Sequence, residues 1–169
     1  MKKKIVFFNT EINDTKKTAY TPVVDDDFRG IKIGAPEKIE LNGEVPFVLS
    51  GVMQLNSRYR FQFHSPSDEL TIIVENCTHK QLWSGNLFLG GNIPERNPDM
   101  TIKDIHPKAV STEWFNVDLF NYIREMPRLA GEYIVYATLG DYTSNSVIVK
   151  LEGKFNHIYK NTIEYKNFF

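Results

Sequence analysis

The sequence predicts an all-β chain, folded as a single antiparallel β-sandwich of roughly seven to nine strands with extended N- and C-terminal segments. Three observations carry this expectation. Short runs of alternating apolar and polar residues recur along the chain, separated by Gly, Pro, Asn, Asp and Ser; this is the period-2 pattern of half-buried strands bounded by turns. No stretch keeps helical spacing long enough to make a useful amphipathic helix. The run from Tyr133 to Leu151 reads as two strands joined by a loop over Gly140 to Asn145.

Taken in order, Ile5-Val6-Phe7-Phe8 suits a short edge strand. Residues 9–30, with Asp25-Asp26-Asp27, are polar and without period, and read as an extended arm. Lys38 to Leu41 alternates and then meets Asn42-Gly43, the strongest short hairpin signal. Phe47, Leu49, Gly51, Met53 and Leu55 share one face of the next strand; Val48, Ser50, Val52 and Gln54 share the other. After Asn56-Ser57, alternation through Tyr59, Phe61 and Phe63 predicts a further strand. Ser65 to Asp68 is a turn by composition. Leu70, Ile72 and Val74 form an inward face, and Leu82 to Leu89 continue as a strand in which Gly85 marks a bulge or a close backbone approach. Residues 90–110 are rich in breakers and make a long connection. Phe115, Val117 and Leu119 then alternate against Trp114, Asn116 and Asp118, and 121–126 suits one helical turn before Pro127. In the closing hairpin Val147, Val149 and Leu151 point inward. The last stretch mixes Phe155, Tyr159, Tyr165, Phe168 and Phe169 with lysines, and 162–165 suits a final strand. The chain therefore divides into an edge strand and arm (1–36), a core (37–152) and an aromatic, basic segment packed on the core or on a neighbour (153–169).

Composition narrows the class. At 169 residues, 41% hydrophobic and 24% charged, the chain is ordinary globular material that can bury a core without metals or disulfides. A net charge of −1 excludes a general nucleic-acid binder, which needs a basic field to neutralise phosphates. The single cysteine, Cys77, excludes an intramolecular disulfide and paired-thiol metal motifs; it reads as a small filler at a strand end. Lys2-Lys3-Lys4 opens like a signal peptide, but the apolar run after it ends at Phe8, short of the roughly 7–15 residues a signal core needs. No run approaches the ~20 apolar residues of a membrane helix. The expectation is a cytoplasmic chain without a membrane partner, in which the sequons at Asn13 and Asn76 arise by chance.

Leu129-Ala130-Gly131-Glu132-Tyr133, followed by alternating apolar residues, resembles the tyrosine corner and penultimate strand of immunoglobulin-like and fibronectin-like domains. Gly140 to Leu151 resembles their last hairpin. The resemblance spans about 37–152 in strand order and stays at the superfamily level. It implies an immunoglobulin-like sandwich in which the Tyr133 hydroxyl bonds to backbone just upstream, with Gly131 as a second structural position. It assigns no catalytic or ligand residue, and the paired cysteines of antibody domains are absent.

No catalytic constellation emerges. There is no phosphate-binding glycine loop, no HExxH and no CxxC, and His64, His79, His106 and His157 are scattered singly. Cys77 and His79 lie two residues apart, a poor spacing for a nucleophile and its base. Asp25 to Asp27, and Glu95 with Asp99, lack the ligand spacing of a calcium loop and read as solvated runs. The expectation is therefore no metal, no cofactor and no catalytic residue. Binding candidates are Trp83 and Trp114, one of which falls opposite the apolar positions of its strand, and the hairpin-loop residues Asp141, Tyr142 and Thr143. The leading expectation is a non-catalytic module that recognises a protein or a carbohydrate through loops or a sheet face. A structural subunit of a larger assembly, self-association through edges and arms, and a hydrolase or inhibitor without a motif stay open beside it.

Overall fold

Alternation of side chains decides where strands run, and the tertiary pairing decides which of them count. The computed structural model describes residues 17–62, 70–86 and 100–153. In chain order the elements are β1 (Gly30–Gly34), β2 (Lys38–Glu40), β3 (Val48–Asn56), the helical turn α1 (Ser57–Arg60), β4 (Thr71–Asn76) and β5 (Gln81–Asn86). A 3-10 turn (Ile102–Asp104), β6 (Val110–Asp118), the helical turn α2 (Leu119–Tyr122), β7 (Gly131–Leu139), β8 (Tyr142–Thr143) and β9 (Val147–Glu152) follow. The fold is predominantly β, as the sequence predicts.

Two sheets form: a smaller one in the order β1-β3-β6, and a larger one in the order β2-β9-β7-β4-β5, with β8 beside the end of β7. Their inward side chains make one apolar core that joins Ile31, Leu49 and Phe115 of the smaller sheet to Ile72, Val74, Tyr133, Val135 and Val149 of the larger. Each fully buried large side chain contributes roughly 1.5–3 kcal/mol. Phe47 meets the rings of Phe120 and Tyr133 edge-on, at centroid separations of 5.7 and 5.9 Å. Gly51 lies directly opposite Phe115, whose ring lies across it: a Cβ at Gly51 would fall 2.1 Å from the ring tip.

Four sequence expectations are corrected here. Asn42-Gly43 makes no hairpin, and the pairings are not all antiparallel. β2 instead runs parallel to β9, with Ile39 opposite Leu151, and the chain bends at Gly43 (φ +74°) before entering β3 in the other sheet. Burial of Ile39 and Leu151, at 4% and 1% exposure, outweighs the local turn preference. The strand expected through Tyr59 and Phe61 is a helical turn, because the Asn56 side chain accepts from Arg58 N at 2.9 Å and caps it. The connection drawn to 110 ends in the first residue of β6, and that strand stops at Asp118, where α2 begins. Finally, Gly30–Gly34, placed in the arm by its sequence, pairs with β3 along its length and adds Ile31 and Ile33 to the core.

The arm itself lies on the protein. Every residue of β3 from Val48 to Leu55 is buried, so both faces of this strand are covered. Residues 17–28 cross the outer face of the smaller sheet. Thr18 shares a 2.6 Å hydrogen bond with Ser50, and the Gln54 amide donates to the carbonyls of Asp25 (2.8 Å) and Phe28 (3.0 Å). Gly34 permits the crossing, since a Cβ there would sit 2.2 Å from the Tyr20 carbonyl oxygen. On the edge of β1, the Asn145 side chain accepts from Ile33 N at 2.8 Å and donates to Ile33 O at 3.0 Å, which ties the smaller sheet to the β8–β9 connection. Ile5 to Phe8, Phe63, 87–89 and 154–169, all assigned above, lie outside the described residues.

Candidate functional site

In β7 and β9 the residues that do not face the core are themselves apolar. Tyr133, Val135, Ala137 and Val149 point inward and are fully buried; Ile134, Tyr136 and Ile148 therefore point outward. Across the larger sheet the register places Ile148 opposite Ile134, Ile134 opposite Glu75 and Glu75 opposite Leu82. The next row sets Tyr136 opposite Ile73 and Ile73 opposite Ser84. Ile148 is 59% and Leu82 66% exposed, while Ile73, Ile134 and Tyr136 are half-buried by their neighbours. These side chains share one outer face of the larger sheet. It is an apolar strip across four strands, with Glu75 inside it and Glu132 beside Lys150 at one end.

Beyond that end, Lys150 and Lys38 flank Glu152 and hold its carboxyl down at about 2, chiefly through their hydrogen bonds to it; Lys150 Nζ stands 2.7 Å from the carboxylate. At the edge of the smaller sheet, Arg60 forms an ion pair with Glu113.

The structure places Trp83, Trp114 and the turn residues 141–143 at three separate positions. Trp114 points outward on the smaller sheet, but Lys17 of the arm stacks over its ring at 4.4 Å. Trp83 sits opposite Val74 and faces inward, stacked on Tyr133 at 6.5 Å. Both indoles are half-buried. Asp141 and Thr143 are exposed at the β7–β8 turn, where Gly140 (φ +53°) takes the first central position, as a type II′ hairpin requires. Tyr142 is half-buried, packed edge-on against Tyr59 at 5.1 Å, and Asp141 N donates to the Tyr59 hydroxyl at 3.3 Å.

The two structural positions meet at the entry to β7. The Tyr133 hydroxyl donates to Leu129 O at 2.9 Å, and burial raises its pKa above the ordinary tyrosine value. Gly131 lies close to the β4–β5 turn, where a Cβ would come within 3.1–3.2 Å of Thr78 and Asn76. Asn76 is fully buried, with its side-chain oxygen accepting from His79 N at 2.9 Å, so its amide is no glycosylation acceptor. Cys77 is half-buried in this turn, and the His79 ring stands 3.3 Å from Ala130 O.

Among the described residues no group of three or more His, Cys, Asp or Glu side chains could hold a metal ion. No helix there is long and apolar enough to cross a membrane. Comparison with protein-family models, with curated proteins and with solved structures finds no match to this chain.

Sequence reasoning missed the apolar strip. Its signal was present in 133–137 and 147–149, where apolar residues run on without alternation. Such a run states that both faces of a strand are apolar, not one.

Proposed function

We propose that this chain is an immunoglobulin-like sandwich that works as an interaction module, binding a protein partner on the outer face of its larger sheet. The strand order supports the first part. β4, β7 and β9 neighbour one another in one sheet and β3 and β6 in the other, like the C-F-G and B-E strands of that superfamily, and the Tyr133–Leu129 bond stands where its tyrosine corner does.

The observation that carries the binding reading is the difference between the two outer faces. One is buried under the chain's own residues 17–28; the other leaves Leu82 and Ile148 more than half exposed. An apolar face with a carboxylate inside it and charge at one end suits a protein surface, and Glu75, Glu132 and Lys150 would set register and steer approach. Trp83 faces the core and Lys17 lies over Trp114, so neither tryptophan contributes to this face.

The test is a comparative capture with the full chain as wild type, as Leu82→Lys/Ile148→Lys and as Asp141→Ala/Tyr142→Ala, followed by calorimetry on the captured protein. The face variant is expected to weaken binding on the order of 100-fold or more and the loop variant to leave it near wild type. Loss with the loop variant alone would move the site to the β7–β8 turn and overturn the face reading.

A further inference from the structure

Resting on that reading of the larger sheet, we propose that its outer face is the seat of the chain's own C-terminal segment, 154–169, which a protein partner must displace. Three observations converge on this occupant. The first is position: the segment leaves from Gly153, one residue past β9, and β9 carries Ile148, at one end of the strip. The residues before Lys17 leave from the opposite side of the molecule, where Lys17 lies on Trp114.

The second is reach. The strip runs from β9 to β5, three strand spacings or roughly 15 Å. A segment extended at about 3.3 Å per residue spans roughly 50 Å over 154–169, enough to cross the strip and turn back.

The third is chemistry. The segment carries Phe155, Tyr159, Tyr165, Phe168 and Phe169, and Lys154, Lys160 and Lys166 against the single acidic Glu164. The strip offers exposed apolar area at Leu82 and Ile148. Beside that area stand the carboxylates of Glu75 and Glu132, which have no ion-pair partner among the described residues. Aromatic rings with interspersed cations match an apolar face with interspersed carboxylates, and burying both together removes apolar surface from water on each side.

Hydroxyl-radical footprinting of the full-length protein tests this. Leu82, Tyr136 and Ile148 are compared between wild type and a full-length variant carrying Phe155→Ser, Tyr159→Ser, Tyr165→Ser, Phe168→Ser and Phe169→Ser, with solution mass measured alongside. Oxidation of the three face residues is expected to rise several-fold in the variant at unchanged mass. Val23 and Ile102, which are exposed elsewhere, should not change. Equal footprints in the two proteins would overturn the proposal, and a halved mass in the variant would assign the seat to the segment of a second copy instead. The earlier reading fails separately. If the face opens in the serine variant while Leu82→Lys/Ile148→Lys leaves partner binding intact, the face is a seat for the segment and not a partner site.

Discussion

Tyr133 shows how much one side chain can settle. Its ring fills the core between Phe47 and Trp83, and its hydroxyl ends on Leu129 O, so it joins packing to the direction in which the chain enters β7. Tyr133→Phe keeps the ring and removes the bond; a loss of about 1 kcal/mol in urea unfolding is expected, the usual net worth of such a bond. A change within a few tenths of a kcal/mol would mean that the corner is held by packing alone. Tyr133 was legible through the resemblance of Leu129 to Tyr133 to a tyrosine corner, a motif whose partners lie close in the chain. Gly51 was not: nothing local says that Phe115, far along the chain, rests its ring on that backbone. The role of Gln54 was hidden for the same reason, because the carbonyls it binds belong to the arm.

At the scale of elements, the junction of β6 and α2 shows a carboxylate used as structure. Asp118 is 4% exposed and accepts from Phe47 N at 2.9 Å and Phe120 N at 3.1 Å, which caps α2 and pins the start of β3. Burial raises its pKa above the ordinary aspartate value, although both amides and Arg128 act in the opposite direction. The native state therefore holds this proton at a pH where the unfolded chain has released it. The contribution of Asp118 to stability falls as pH rises from about 3.9, the unfolded value, and levels off above the folded one. Asp118→Asn keeps an acceptor oxygen and removes the titration. The stability difference, wild type minus variant, should decline with rising pH across that window in urea unfolding series. A difference that grows with pH would show the two amide donors outweighing burial. Glu152, held low by its lysines, is present in both proteins and cancels from the comparison. The helical turn at 119 was hidden because Leu119 continues the alternation of β6 by one residue; the cap at Asp118 ends the strand.

At the scale of the molecule, the arm converts a two-sided problem into a one-sided one. Both faces of β3 are apolar or hydrogen-bonded, and the smaller sheet stays closed only while 17–28 lie across it. Gln54→Leu removes the amide that donates to the carbonyls of Asp25, Asp26 and Phe28. A cost of about 1–3 kcal/mol is expected from the carbonyls left without their donor, with faster tryptic cleavage after Lys17 and Arg29 in the native protein. Gly34→Ala attacks the same crossing sterically and should give the same cleavage pattern. If cleavage is unchanged in both variants, the arm does not depend on these contacts.

The sequence by itself determined the β class, the inward residues of β4 and β9 and the closing hairpin, and a resemblance to a tyrosine corner marked Tyr133. These follow from period-2 burial and from contacts a few residues apart, and both are local. Only the tertiary structure decided that β2 pairs parallel with β9, that Gly30–Gly34 is a core strand, that Trp83 faces inward and Trp114 lies under Lys17, and that residues 17–28 cover one outer face while Leu82 and Ile148 stay exposed on the other. Alternation names two faces for every strand but does not say what approaches either. That is decided by segments distant in the chain, whose burial outweighs local preferences such as the hairpin signal at Asn42-Gly43.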